Sequence, residues 1–102
     1  QLKMRHRNQV FQMNNNIYKV LTSKEWARAS KTGFVVTDSD RKDGFVHLST
    51  ASQLALTVDL FFTQYNQLVL LQIDGIALNE GLIFEDSLSP DERPGLFPHL
   101  YG

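Results

Sequence analysis

Apolar and β-branched residues alternate through "IYKVL" (17–21), the spacing of a half-buried strand. "TSKE" follows at once and sets Thr22 three residues before Glu25, which is a capping box. The spacing therefore predicts a helix from about Ser23 to about Ser30, with Trp26 and Ala29 on its core face and Gly33 as its C-cap. Phe34–Thr37 reads as a short strand and Asp38–Gly44 as a polar, flexible turn ending in an Asp-Gly pair. Phe45–Leu48 reads as the next strand. "STASQ" then opens a second helix, with Ser49 or Thr50 as cap, Gln53 closing a box with Thr50, and Leu54, Val58, Phe61 and Phe62 at helical spacing. "QLVLLQID" is the most apolar run and predicts a central strand. Asp74–Gly75 turns the chain and "LIFED" returns it as a strand. Ser87–Gly95, with two prolines, forms a loop, and "LFPHLYG" ends extended, with Pro98 pointing to an edge strand or a loop.

The predicted order is β-α-β-β-α-β-β-β, an α+β domain with a mixed, mostly antiparallel, split sheet and two helices. Two helices cannot cover both faces of a doubly wound sheet, and no glycine-rich phosphate loop follows a strand. At 102 residues the chain holds one domain, read here as residues 17–102 behind a disordered or extended tail, 1–16. A domain of this size buries ~60–65% of its unfolded surface, so its stability margin is small.

Composition narrows the chemistry. The absence of cysteine excludes disulfides, a thiol nucleophile and a thiolate metal site, and it fits a reducing cytoplasm. No apolar run approaches the ~18 residues of a membrane span, and no apolar segment of signal-peptide type follows the basic start. The tail carries Lys3, Arg5 and Arg7 and no acid, which leaves seven of the ten cations against all eleven acids in the remainder. A basic arm is one reading of that tail and a plain disordered terminus the stronger one. The acidic body offers no basic face for extended nucleic acid.

Two histidines stand in apolar company. By alternation Phe45, His47 and Ser49 share one face of their strand, and Val46 and Leu48 share the other. His47 thus sits beside a helix start, where free amides favour anions. His99 shares a face with Phe97 and Tyr101 if its segment is extended. For both, a structural histidine bonded to neighbouring backbone is the competing reading. Glu85 closes the "LIFE" strand, either as a turn residue or as a base or hydroxyl-binding carboxylate. The two histidines and a carboxylate lack the close spacing of metal-ligand motifs, so no metal is assigned. Ser49 has no nucleophile elbow around it, which disfavours a serine-histidine-acid triad.

"IYKVLTSKEWARA", "DGFVHLSTASQL", "LVLLQID", "LIFEDS" and "FPHLYG", in this order and spacing, resemble the domain-of-unknown-function 952 family over nearly all of 17–102. Members usually continue past "YG" with a further short strand, which implies that a final strand is missing here. The family's layout is similar to the ADP-ribosyltransferase-like fold, a split sheet around a nicotinamide-nucleotide cleft. That resemblance implies NAD or another nucleotide as ligand and a transferase ancestry. Tyr18 and Lys19 occupy the place of that fold's nucleotide-binding histidine, and His47, Ser49 and Thr50 the place of its middle-strand motif. The late position falls near His99 with no glutamate, so Glu85 is its substitute only if the strands bring it into the cleft.

The sequence therefore predicts a cleft lined by His47, Ser49, Thr50, Glu85, His99 and Tyr101 that binds a nucleotide or similar small polar ligand. The two histidines are expected on one side of the sheet within ~10 Å of each other, about one small-ligand length. The alternative is a non-catalytic module that binds protein through the same surface or the edge after Phe97.

Overall fold

The computed structural model describes residues 16–102, so the expected tail lies outside the described residues except for Asn16, which belongs to the first strand instead. Strand β1 (Asn16–Thr22) runs into helix α1 (Ser23–Thr32), whose first turn carries the Thr22–Glu25 capping box in both directions. Gly33 ends α1 in the left-handed conformation at φ 82°, which a side chain would strain. Ala29 is buried and Trp26 packs against the core beside it, as their spacing predicts. Helix α2 (Asp38–Asp43), strand β2 (Val46–His47), helix α3 (Leu54–Phe61), and strands β3 (Leu68–Asp74), β4 (Leu82–Asp86) and β5 (Leu96–Leu100) follow. Among the described residues all strand pairings are antiparallel, rather than mixed as expected, with three α-helices rather than two, and the strands form two sheets, β1–β3 and β2–β5–β4. Ile17, Leu21, Ala29, Val35, Val46, Leu48 and Leu100 form the common core.

Several local expectations are corrected. Phe34–Thr37 is an extended connection in which only Phe34 makes a β-bridge. Asp38–Asp43 is a helix rather than a flexible turn, because Thr37 and Asp40 form a second capping box that anchors its start. A 3-10 turn, Ala51–Gln53, precedes α3 and keeps the predicted Thr50–Gln53 box. The buried residue of α3 is Thr57, whereas Phe61 is exposed. β3 is not central: among the described residues it pairs with β1 alone, and Leu70 is exposed. Gly75–Gly81 is a 3-10 segment rather than a simple turn.

β5 holds the middle of its sheet even though it contains Pro98. The Leu48 N–H donates to the Pro98 carbonyl at 3.1 Å. Pro98 has no N–H to return that bond, so the ladder stops and β2 is only two residues long. The proline thus sits where the missing donor falls at the end of a short partner, and β4 completes the other edge from Leu82↔Leu100 to Asp86↔Leu96.

Beyond the shared core, an isolated backbone bridge joins β1 to the segment that follows β2. Tyr18 and Ser49 exchange both backbone bonds, at 2.7 and 2.9 Å, and form an isolated bridge. One residue after Tyr18, at Lys19, and two residues before Ser49, at His47, the Lys19 side chain rather than its backbone reaches the other segment. The site described next lies in the split between these segments.

Candidate functional site

A buried ion pair fills the split between the sheets. Lys19, from β1, is 4% exposed and Asp40, from α2, is 2% exposed. Lys19 Nζ lies 2.8 Å from Asp40 Oδ2 and 2.9 Å from Oδ1. The pair replaces a neighbouring strand for His47. Asp40 Oδ1 accepts the His47 N–H at 3.0 Å, and Lys19 Nζ donates to the His47 carbonyl, also at 3.0 Å. The Thr37 N–H also donates to Asp40 Oδ2, at 3.0 Å, so the carboxylate holds three donors. Burial pushes the Lys19 ammonium below its usual range, and Asp40 opposes that shift.

The pair fixes the His47 backbone, and Asp43 at the end of α2 fixes its ring. His47 Nε2 lies 2.7 Å from Asp43 Oδ2. Burial lowers the His47 pKa from its ordinary value, and the bond to Asp43 acts against that. The imidazole is therefore neutral at pH 7. With the Nε2 proton donated to Asp43, Nδ1 is left as its basic nitrogen.

His99 is the direct cross-strand partner of His47, and the ring centroids lie 5.7 Å apart. Phe45 stacks on His99 at 4.1 Å and tilts against His47 at 4.6 Å. His99 Nδ1 bonds Glu85 Oε2 at 2.8 Å, and the Tyr101 hydroxyl donates to the same oxygen. The Tyr101 bond first, then the His99 bond, hold the Glu85 carboxyl below its ordinary pKa, and Glu85 in turn raises that of Tyr101.

A cavity of about 510 Å³ opens beside this split. Tyr18, Lys19, His47 and Ser49 line it, together with Asp40 and Asp43 from α2, Thr57 and Phe61 from α3, Phe62 at its C-cap, and Tyr65 and Arg93 from the loops. Thr50, Glu85, His99 and Tyr101 do not line it. The residues expected in one cleft therefore fall into two groups. His47, Ser49, Tyr18 and Lys19 face the cavity, while His99, Glu85 and Tyr101 form a bonded cluster behind Phe45. Thr50 serves the start of the 3-10 turn before α3, where its N–H donates to Gln53 Oε1 at 3.0 Å.

Sequence reasoning passed over Asp40, Asp43, Thr57 and Arg93. Asp40 carries a readable signal, since "TDSD" places an acid three residues after Thr37. Thr57 is a lone hydroxyl within an apolar helix, "LALTVDLF". Arg93 sits in a proline-rich loop and has no pattern that marks it. Among the described residues, no group of three His, Asp or Glu side chains assembles as a metal site, and no helix is long and apolar enough to cross a membrane.

Two crystal structures share this architecture. Protein CC0527 from Caulobacter crescentus is 38% identical, with a TM-score of 0.73 over 84% of this chain and 73% of that one. A double-mutant form of the same protein matches at 37% identity with the same TM-score and coverage. No curated protein matches the chain. The family model described as protein of unknown function (DUF952) matches residues 20–102, and the chain belongs to that family.

Proposed function

We propose that the cavity binds a nucleotide or similar small polar ligand and that His47, oriented by Asp43, is its proton-transfer group. The observation that carries this reading is the cavity itself. Its volume of about 510 Å³ suits a small ligand, and its wall combines the aromatic side chains of Tyr18, Phe61, Phe62 and Tyr65 with the hydroxyls of Ser49 and Thr57. Aromatic faces accept a planar base, and hydroxyls accept or donate to a ribose or an amide. Burial keeps the imidazole of His47 neutral at pH 7, the form that can accept a proton from a ligand.

The ADP-ribosyltransferase-like layout expected from the sequence makes NAD and ADP-ribose the first ligands to try. Glu85 is not the carboxylate of such a transferase in this chain, because it lies outside the cavity. The test is thermal unfolding with NAD, ADP-ribose and AMP at millimolar concentration, on the parent protein and on His47→Ala. The reading expects at least one ligand to raise the melting temperature of the parent, with a smaller rise in the variant. No shift with any of the three would defeat it.

A second reading is a protein-interaction module. Phe84 and Leu96 are exposed neighbours on one face of β4–β5 and favour it. Dimerisation that grows with concentration and is abolished by Phe84→Ser would support this reading over the first.

A further inference from the structure

Arg93 is 7% exposed, and among the described residues no carboxylate lies within ion-pair distance of its guanidinium. Its Nε is buried without a hydrogen-bond partner. Buried arginines are ordinarily paired, because a buried charge without a partner is strongly destabilising. Aromatic rings flank the charge instead. The guanidinium carbon lies 4.0 Å from the Phe97 ring centroid and 5.1 Å from that of Phe61. These contacts hold the cation in place without neutralising it.

The polar contacts of Arg93 lead along the cavity wall. Its Nη2 donates to Thr57 Oγ1 at 3.1 Å, and Thr57 Oγ1 lies 3.0 Å from Ser49 Oγ. Guanidinium is a donor only, so the Thr57 oxygen accepts from it. One of the two hydroxyl hydrogens lies in the Ser49–Thr57 bond, whichever oxygen donates it, and the other is left to donate to a ligand. All three residues line the cavity, and each is buried. A charged donor backed by two polarised hydroxyls is a set of groups that lacks only an acceptor.

The carboxylates that line the same cavity are already committed. Asp40 holds Lys19, Asp43 holds His47, and Glu25 accepts the Thr22 N–H at 2.9 Å. None of them neutralises Arg93.

We propose that Arg93, Thr57 and Ser49 form an anion-binding subsite in the cavity wall, which takes a phosphate or carboxylate group of the ligand. This deepens the nucleotide reading above and rests on the same cavity, but it commits to the ligand's charge and to the residue that meets it. Phosphate and carboxylate present the same acceptor oxygens to a guanidinium fork, and the experiment separates them.

Binding of pyrophosphate, malonate, AMP and adenosine to the full chain is measured by calorimetry at low salt, for the parent, Arg93→Gln and Arg93→Lys. The subsite predicts that AMP binds at least tenfold more tightly than adenosine, and that pyrophosphate or malonate binds alone. Arg93→Gln removes that advantage while adenosine affinity stays, and Arg93→Lys restores part of it. Pyrophosphate above malonate marks the site as one for phosphate, and the reverse order as one for carboxylate. Two results overturn the subsite while leaving the cavity reading intact: AMP and adenosine binding alike, or Arg93→Gln weakening both equally. Anions that bind through Arg93 while neither AMP nor adenosine adds affinity would sink the nucleotide reading and leave the subsite. No binding of any of the four overturns both. The binding of adenosine to Arg93→Gln, or its retained cooperative unfolding, shows that the variant is folded.

Discussion

The rings of His47 and His99 meet edge to face, 5.7 Å apart, because the two residues are opposite each other on β2 and β5. Their surroundings nevertheless divide their roles. His99 is 2% exposed, stacked on Phe45 and bonded to Glu85, while His47 is half-buried and borders the cavity. His99→Ala should therefore cost ~1–3 kcal/mol, through the void left by a fully buried ring and the loss of its stacking on Phe45. His47→Ala should cost clearly less, because its backbone bonds to Lys19 and Asp40 do not depend on the side chain. Urea unfolding of the two variants gives the comparison, and equal losses would contradict this division.

The Lys19–Asp40 pair should behave differently from most buried ion pairs. Asp40→Asn or Lys19→Met should each cost ~3–5 kcal/mol, because each leaves a buried charge or polar group unpaired. Replacing both with apolar residues often restores stability elsewhere. Here it should not, because the His47 N–H and carbonyl and the Thr37 N–H would lose their partners. A Lys19→Met/Asp40→Leu double variant as stable as the parent would show that the pair does not act as a substitute strand.

Stability should fall on mild acidification through His47. Its folded-state pKa is lowered by burial, so the unfolded chain takes up the proton first as pH falls. The contribution is complete above the unfolded value, ~6.5, and is lost as pH drops from there toward the lower folded value. Denaturation midpoints of the parent and of His47→Gln at pH 7.5 and pH 5.5 isolate the effect. The parent should lose more than the variant, and parallel losses would exclude it.

Glu85 and Tyr101 should titrate as partners. Their bond lowers the Glu85 pKa and raises that of Tyr101. Glu85→Gln should move one tyrosine's ionisation, followed by tyrosinate absorbance, back down toward ~10. Tyr101→Phe should raise the Glu85 carboxyl toward its ordinary value. An unchanged tyrosine titration would mean that the bond does not persist in solution.

Legibility in the sequence followed the range of the interactions. The capping boxes at Thr22 and Thr50, the Gly33 cap and the segregation of Val46 and Leu48 from His47 are all local, and the structure carries each of them. The position of β5 was misread because Pro98 argues against a central strand unless its partner ends beside it, and that ending depends on Leu48, fifty residues earlier. α2 was hidden by its polarity, since a helix of Asp, Ser, Arg and Lys has no apolar period to detect. His47 and Ser49 stood out by alternation. Arg93 did not, because what distinguishes it is a missing partner, and that is a property of the folded cavity alone.

The account stands on the cavity beside the Lys19–Asp40 pair as a ligand site, and amide chemical-shift mapping tests it most directly. Isotope-labelled protein titrated with AMP, ADP-ribose and NAD should show saturable shifts concentrated at Lys19, His47, Ser49, Thr57, Phe61 and Arg93, with β4 little changed. The absence of saturable shifts, or shifts confined to Phe84, Leu96 and their neighbours, would contradict it.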